Sequence, residues 1–453
     1  MKITLIAPPF GSKTGAEALP IAPPVLAYLA ALTHRIAPHI EVELFDTNRD
    51  HVTPDDIKAD LVGMTLLTPL APWAYAFADR VRARGIPVVF GGWHASVRPE
   101  EAKTHADSVV IGEVEGIWKE FLADAEKKQL KPFYRGQAGE LTDVPRPETS
   151  LLKSKYRFGS FFTQRGCPHN CAFCSIKAFY GPTIRTRPIP AVIREIAESP
   201  YGMFINTDDN AWGGDIDRAI ELFREMSVSC KGKYWFGSAD LISIQKDKGA
   251  ELLKWAKASN MMSVMVGWES SNKDVLEEYN AAAKQGSRGL DAIKKIKDHG
   301  IDVIAYVILG SRNDTPGDFD RTLELCDNLG ITAHPVLLHP LPGTRLFDKY
   351  EEYLYKDLDW SFYDGSYAVF RHDDPVMTPE FRERELIRIR TESFTWKRII
   401  RRITSLPRAG FPAAHISAFF YQSQMKKGFK KLENFYLDKS REVMQDPRWN
   451  TRK

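Results

Sequence analysis

Three cysteines that lie within eight residues are the clearest chemical feature of this sequence. Cys167, Cys171 and Cys174 occur in the stretch TQRGCPHNCAFCSIKAFYGP, whereas Cys230 and Cys326 stand apart in helical patterns. Thiolates bind zinc and iron–sulfur clusters, but both kinds of site usually take four ligands. The motif therefore predicts a metal centre with one ligand missing from the local sequence.

Two kinds of metal centre compete for this motif. In a zinc site, His169 or a remote group would join the cysteines, but His169 lies inside the loop between two ligands, where chelation of one ion is awkward. No second C-x-x-C or H-x-H pair follows downstream. In an iron–sulfur site, three thiolates would hold three irons of a four-iron cubane, leaving the fourth iron open to a chelating ligand such as an amino acid.

The elements that precede the motif form a first α/β series. Between residues 2 and 126, the apolar runs KITLIAP, IEVELFD, LVGMTLL, IPVVFGG and SVVIGE alternate with helical patterns. Runs without polar alternation are typical of strands buried on both faces of a parallel sheet. We predict a doubly wound, flavodoxin-like domain over residues 1–135, whose ligand lies beyond the carboxyl ends of its strands. The sequence contains neither a G-x-G-x-x-G motif after the first strand nor a P-loop.

A second α/β series carries the cysteines. Six strand–helix units follow one another over residues 158–350, which predicts an open, partial (β/α)6 barrel of the TIM type. The cysteines come just after its first strand, at the end of the barrel where chemistry is expected. Residues 136–157 are polar and predict a linker, and residues 351–453 predict a mostly helical C-terminal extension.

Composition limits the classes of function. A net charge of +3 over 453 residues gives no argument for a nucleic-acid partner, and five cysteines, few and odd in number, do not make a disulfide framework. The N-terminus MKITLIAPPF predicts a first strand rather than a signal peptide, and no apolar run approaches the ~20 residues of a transmembrane helix. We therefore expect a cytoplasmic protein.

The C-x-x-x-C-x-x-C motif after the first strand of a six-unit barrel resembles the radical SAM enzyme superfamily. The resemblance implies a [4Fe–4S] cluster held by Cys167, Cys171 and Cys174, with S-adenosyl-L-methionine (SAM) as the fourth ligand. It also implies an electron donor such as flavodoxin or ferredoxin, cleavage of SAM and hydrogen abstraction by a 5′-deoxyadenosyl radical.

Further segments match the superfamily in the expected order, namely INTDDN (205–210), VGWESSNKDVLEEYN (266–280), VIAYVILGSRNDTP (303–316) and LHPLPGTRLFD (338–348). The resemblance implies SAM contacts for Phe173, Asp208, Asp209, Asn210, Glu269, Ser270, Leu309 and Gly310. Taken alone, Glu269 also fits a surface acid after a strand, and Asp208 and Asp209 also fit a helix N-cap pair. No general acid or base can be assigned from the sequence.

The first domain resembles the cobalamin-binding domain of cobalamin-dependent radical SAM enzymes, through APP, VELFDTN, VGMT, VFGGWHASVRPEEA and VVIGEVEG. The resemblance implies cobalamin contacts for Thr65, Leu66, Leu67, Thr68, Gly91, Gly92, His94, Gly112 and Glu113. The D-x-H-x-x-G motif that supplies a lower histidine ligand is missing, since DTNRDH (46–51) has the wrong spacing. We therefore expect cobalamin to bind without a histidine ligand.

The combined resemblance predicts a cobalamin-dependent enzyme that methylates an unactivated carbon of a small-molecule or lipid-like substrate. Two alternatives stay open at this stage: an oxidative cyclase, ring-contraction or coupling enzyme with the same cofactors, and a non-catalytic corrinoid or iron–sulfur sensor. The C-terminal extension resembles that of hopanoid and pigment biosynthesis proteins. Its basic, aromatic segments favour either a peripheral membrane contact or a helical cap over the barrel, and Trp360, Tyr363 and Tyr367 favour either the substrate pocket or packing.

Overall fold

A computed structural model describes residues 1–10, 21–281, 287–405, 422–423 and 425–427. Most of the basic segment YQSQMKKGFKKL (421–432) lies outside these residues. None of the helices within the described ranges is both long enough and apolar enough to cross a bilayer.

The first sheet is parallel and has the strand order β2-β1-β3-β4-β5-β6. Its strands are β1 (Lys2–Ala7), β2 (Glu41–Asp46), β3 (Leu61–Thr65), β4 (Val88–Gly91), β5 (Ser108–Ile111) and β6 (Phe133–Arg135). The first five follow the flavodoxin-like order, so the predicted fold class is confirmed. The prediction of five strands was incomplete, because β6 pairs in parallel with β5 as an additional edge strand.

Five helices cover the two faces of this sheet, namely α1 (Pro24–Ile36), α2 (Ala71–Ala83), α3 (Gly92–Val97), α4 (Pro99–Thr104) and α5 (Trp118–Glu126). Two separate apolar cores result. One lies under α2, with Val62, Phe90 and Ala78 fully buried. The other lies under α1 and α5, with Leu26 and Phe121. Cores on both faces explain why β1, β3, β4 and β5 are apolar without alternation, whereas the edge strand β2 alternates buried residues with more exposed ones.

The second sheet is also parallel, with the order β14-β13-β12-β11-β10-β7. Its strands are β7 (Phe158–Phe161), β10 (Met203–Asn206), β11 (Tyr234–Ala239), β12 (Met261–Glu269), β13 (Asp302–Leu309) and β14 (Thr332–Leu337). All six predicted barrel strands are present, in chain order from one edge to the other. A short antiparallel pair, β8 (Gln164–Arg165) and β9 (Arg185–Thr186), lies apart from this sheet.

Eight helices follow the barrel strands, namely α6 (Ile176–Tyr180), α7 (Ile189–Ala197), α8 (Ile216–Ser229), α9 (Gly249–Ala258), α10 (Lys273–Glu278), α11 (Ser287–Asp298), α12 (Pro316–Leu329) and α13 (Arg345–Tyr350). The largest apolar core lies under α7, α8, α9, α11 and α12, whereas α10 and α13 contribute to a second, smaller core. Because the strands are parallel, their carboxyl ends share one edge, and the loops at that edge build the site described below.

The C-terminal extension begins on the barrel and continues as two helices, α14 (Pro379–Ser393) and α15 (Trp396–Thr404). The predicted capped helix after MTPEF is present as α14, and the Thr378 hydroxyl accepts a hydrogen bond from the backbone N–H of Phe381 at 3.1 Å. Two fully buried arginines, Arg382 and Arg390, attach α14 to the barrel. They donate to the carbonyl oxygens of Gly310 and Pro335.

Candidate active site

The cysteine loop, residues 166–184, begins and ends at the two-stranded pair β8–β9. Gly166 begins the loop with φ +97°, a backbone conformation that residues other than glycine rarely adopt. A Cβ at this position would lie 3.0 Å from the carbonyl oxygen of Thr183. The two ends of the loop are therefore held close together, and the three cysteines lie between them.

All three cysteines line one cavity of about 460 Å³ at the carboxyl ends of the barrel strands. Four of the residues predicted to contact SAM also line it, namely Phe173, Asp209, Asn210 and Glu269. The other four, which are Asp208, Ser270, Leu309 and Gly310, are not among its lining residues. Gly310 instead packs on the C-terminal extension, where a Cβ would lie 3.1 Å from Cδ of Arg382.

The two aspartates after β10 hold the strand that leads into the cysteine loop. Asp208 is buried and accepts hydrogen bonds from the backbone N–H groups of Thr163 and Gln164, at 2.6 and 3.1 Å. Asp209 accepts from the N–H of Gly166 at 2.9 Å. Neither residue is a helix N-cap, since that role at α8 belongs to Asp215. Burial raises the pKa of Asp209 to about 6.

Glu269 enters the cavity because β12 ends in a bulge. The pairing of β12 with β13 shifts between Gly267 and Glu269, so one extra residue, Trp268, lies in β12. Glu269 has φ +68° and is 5% exposed. A left-handed conformation is costly for a residue other than glycine, and such strain is concentrated at functional sites.

Asp240, after β11, organises the wall of the same cavity. Its carboxylate accepts from Nδ2 of Asn210 at 2.6 Å and from the N–H of Ser243 at 2.6 Å, and it lies 3.4 Å from Nε2 of His169. Burial alone would raise the pKa of Asp240, but His169 and these donors lower it to about 2. His169 therefore faces a carboxylate within the cysteine cavity.

A second cavity, of about 340 Å³, lies at the carboxyl edge of the first sheet. Six of the nine residues predicted to contact cobalamin line it, namely Thr65, Leu67, Gly91, Gly92, Gly112 and Glu113. Leu66, Thr68 and His94 do not. Strand β3 ends at Thr65, and in the segment that follows, Leu67 lines the cavity whereas Leu66 and Thr68 do not.

His94 belongs to a buried network away from this cavity. Its Nδ1 lies 3.3 Å from the Thr68 hydroxyl and its Nε2 lies 3.4 Å from Glu101. Glu101 also accepts from the indole Nε1 of Trp360 at 2.7 Å and from the Tyr75 hydroxyl at 3.2 Å. Both ring nitrogens of His94 thus face protein groups, and Trp360 connects the C-terminal extension to the first domain.

The two cavities meet. Ser175, Ile176 and Asp209 are common to both linings, so the residue after Cys174, the start of α6 and the end of β10 form a shared wall. A molecule placed there would face the cysteine cavity on one side and the first-domain cavity on the other.

Several lining residues had no signal strong enough to be identified from the sequence. Tyr306 and His339 line the cysteine cavity, while Arg165, Phe179 and Tyr180 line the first-domain cavity. Burial lowers the pKa of His339, which favours a neutral imidazole. Among these five residues, Arg165 could have been identified from the sequence, because it lies two residues before Cys167.

The residues present fit the groups that the two cavities would hold. Three cysteines on one cavity are a suitable donor set for an iron–sulfur cluster, and Nδ2 of Asn210 lies 3.9 Å from Sγ of Cys167 as a donor to a thiolate. Within the described parts of the chain, no three or more His, Cys, Asp or Glu residues gather around a point where they could hold a single metal ion. Gly91, Gly92 and Gly112 bring backbone to the surface of the largely apolar first-domain cavity, where a flat macrocycle would pack.

Comparison with known families agrees with this geometry. Residues 161–326 match the radical SAM superfamily and residues 20–122 match the B12 binding domain. This is a radical SAM protein with a B12-binding domain. The cofactors of this radical SAM enzyme are a [4Fe–4S] cluster, SAM and cobalamin. The prediction of an enzyme is confirmed, and the alternative of a non-catalytic sensor is not supported.

Two relatives match between two thirds and nearly nine tenths of this chain. It is 26% identical to bacteriochlorophyllide d C-12(1)-methyltransferase of Chlorobaculum tepidum, over 87% of this chain and 86% of the relative. It is 24% identical to hopanoid C-2 methylase of Rhodopseudomonas palustris, over 68% of this chain and 60% of that one. The fold is similar to that of the radical SAM methyltransferase TsrM from Kitasatospora setae, with a TM-score of 0.67 and 16% identity over 98% of this chain and 99% of TsrM.

Proposed function

We propose that this enzyme is a C-methyltransferase that methylates an unactivated carbon of a small-molecule or lipid-like substrate. The observation that carries the proposal is the wall shared by the two cavities, formed by Ser175, Ile176 and Asp209. A substrate bound at this wall lies within reach of groups held on both sides, as transfer of a methyl group to a carbon radical requires.

The cofactors, when bound, supply a 5′-deoxyadenosyl radical on one side and a transferable methyl group on the other. The chain's own residues bind these cofactors and orient them. Cys167, Cys171 and Cys174 are proposed to ligate the cluster, and the aromatic ring of Phe173 and the carboxylate of Glu269 to contact SAM. Thr65, Leu67 and the glycines after β4 and β5 are proposed to contact the corrinoid. These assignments are supported by the cavity linings.

The domain assignment follows the same division. We assign residues 1–135 to cobalamin binding, 136–157 to a linker, 158–350 to the radical SAM barrel and 351–453 to the C-terminal extension.

An external electron donor such as flavodoxin or ferredoxin is proposed to reduce the cluster. The substrate class is supported by the names of the relatives, which act on a chlorophyll-type pigment and on a hopanoid.

Anaerobic reconstitution tests the proposal. The reconstituted protein should hold about four irons per chain and one corrinoid. With SAM and a low-potential reductant it should release both 5′-deoxyadenosine and S-adenosylhomocysteine. The Cys171→Ala variant should lose the cluster and both products, whereas Cys326→Ala, a buried cysteine outside the cavity, should keep them.

Two results would contradict parts of the proposal. A cluster that survives in Cys171→Ala would reject the ligand assignment. Release of 5′-deoxyadenosine with no methylated cobalamin and no S-adenosylhomocysteine would reject methyl transfer, and would favour a cyclisation, ring-contraction or coupling reaction with the same cofactors.

The outward face of α15 supports a peripheral contact with an anionic membrane, which would suit a lipid-like substrate. Trp396 and Ile400 are 49% and 57% exposed, one helical turn apart, and Lys397 and Arg401 are exposed beside them. Ile399 is buried on the opposite face, and α15 contains no acidic residue. An apolar face flanked by cations is typical of helices that lie on anionic lipid.

Sedimentation with vesicles tests this contact. The wild type should bind vesicles with about one third anionic lipid and not neutral ones, and the double variant Trp396→Ser/Ile400→Ser should lose binding. Val228→Ser is the matched control, because Val228 is 63% exposed on α8. Equal partition of the double variant and the control would reject the membrane contact.

A further inference from the structure

Glu113 and two arginines join the first domain to the base of the cysteine loop. Arg165 and Arg185 are direct partners across the antiparallel pair β8–β9, so their side chains share one face of it. Arg165 precedes the cysteine loop and Arg185 follows it. Both donate to the carboxylate of Glu113, which follows β5 in the first domain.

The three side chains are buried together. Glu113, Arg185 and Arg165 have side chains that are 4%, 9% and 14% exposed. Two like charges directly opposite each other on a strand pair repel, and burial strengthens that repulsion because little water screens it. Glu113 supplies the counter-charge that the two guanidinium groups share, and Glu115 adds a second one at Arg165.

Other contacts fix Glu113 itself. Its backbone lies against Gly136 at the end of β6, where a Cβ would lie only 1.6 Å from the Glu113 carbonyl oxygen. Arg185 also donates to the carbonyl oxygen of Gly139 at 2.8 Å, and Arg165 pairs with Glu115 at 2.7 Å. Both oxygens of Glu113 accept from guanidinium groups, so its carboxylate is occupied within the protein even though the residue lines the first-domain cavity.

We infer that Glu113, Arg165 and Arg185 form a positioning device, the Glu113 clamp, that holds the cysteine loop in register with the first-domain cavity. Glu113 is then a positioning residue and not primarily a corrinoid contact. The inference deepens the proposed function and rests on it for its catalytic consequence: the clamp sets the separation of the two cavities across their shared wall.

The first test uses cofactor-free protein and hydrogen–deuterium exchange. Glu113→Gln keeps the shape of the side chain but removes its charge. Peptides within residues 166–184 should exchange about tenfold faster in Glu113→Gln, since the loop base opens more often, while peptides from β12 and β13 should match the wild type. Glu198→Gln, which neutralises an exposed partner of Arg146, is the matched control and should leave the loop unchanged.

Exchange of residues 166–184 within twofold of the wild type would overturn the inference, even if corrinoid binding fell. If Glu113→Gln does not fold, Arg185→Lys serves instead, because a lysine keeps the charge but not the fork that reaches both oxygens of Glu113. It should give a smaller increase at the same peptides, and no increase in a folded Arg185→Lys protein would overturn the inference.

The second test uses enzyme loaded with its cofactors and measures the ratio of two products, S-adenosylhomocysteine and 5′-deoxyadenosine. Methyl transfer from SAM to cobalamin needs both domains in register, whereas cleavage of SAM to 5′-deoxyadenosine needs only the barrel. The ratio of S-adenosylhomocysteine to 5′-deoxyadenosine should therefore fall about tenfold in Glu113→Gln, whereas general loss of structure would lower both in proportion. An unchanged ratio would overturn the clamp, and absence of both products in the wild type would instead reject the proposed function.

Discussion

At the scale of single residues, Asp240 shows how a buried charge can stabilise the site. Its pKa of about 2 in the folded protein lies below the ordinary value of 3.8. The charged form is therefore favoured by folding, and the contribution is present above about pH 4 and is lost as the pH falls toward 2. Neutral asparagine at this position would lack that contribution.

We expect Asp240→Asn to lower the free energy of unfolding by about 2 kcal/mol at pH 7, since one pKa unit corresponds to about 1.4 kcal/mol. The difference from the wild type should shrink between pH 4 and pH 2. Urea unfolding across this range measures it. Asp217→Asn, at an exposed position on α8, should change stability little at any pH, and a pH-independent deficit in Asp240→Asn would contradict the electrostatic explanation.

Sequence reasoning at this scale reached the residues whose chemistry is local. The cysteines follow from their spacing and Phe173 from the resemblance to the radical SAM superfamily, and all of them line one cavity. Asp240 follows β11, Tyr306 lies within β13 and His339 follows β14, and nothing in their own neighbourhoods distinguishes them from ordinary polar residues. Their role depends on sheet order, which brings β11, β13 and β14 to one edge.

At the scale of elements, the N-terminus of α14 decides how the C-terminal extension meets the barrel. Thr378→Ala removes the hydroxyl that accepts from Phe381 and should destabilise the protein by about 1 kcal/mol, whereas Thr378→Ser should keep the cap. Urea unfolding of the two variants compares them directly. Equal loss in both would show that the threonine methyl, and not the hydroxyl, matters.

The elements were largely predictable from the sequence because their signals are strong. The capped start of α14 and the apolar runs of the strands are local patterns. Strand β6 was not predicted, because Phe133–Arg135 is three residues long, lies among polar residues and forms only as an edge on β5. The bulge at the end of β12 also lacks a sequence signal, since it is defined by register against β13.

At the scale of the whole molecule, Trp360 holds the C-terminal extension on the first domain. Besides its hydrogen bond to Glu101, its ring packs edge-on against His94, with the centroids 5.3 Å apart. The extension thus touches the first domain as well as the barrel, which the sequence could not reveal because Trp360 and Glu101 are 259 positions apart.

Trp360→Phe keeps an aromatic ring but loses the indole N–H that donates to Glu101. We expect this variant to weaken the contact between the C-terminal extension and the first domain by one hydrogen bond. Proteolytic cleavage within residues 136–157 should then become about three- to tenfold faster in cofactor-free protein, as the open form gains population. Trp396→Phe, outside this contact, is the control. Equal cleavage rates in the two variants would show that the domains are held together without the Trp360 hydrogen bond.

The Glu113 clamp also has a consequence for the order of events during biosynthesis. Chains fold as they leave the ribosome, N-terminal domains first. The strands that carry Glu113 are complete at β6, about thirty residues before Arg165 and fifty before Arg185. The Glu113 carboxylate is thus already held in place when the two arginines emerge from the ribosome, so the cysteine loop forms against a first domain that has already folded. A gene rearranged to place the barrel first would reverse this order and should yield more misassembled chains.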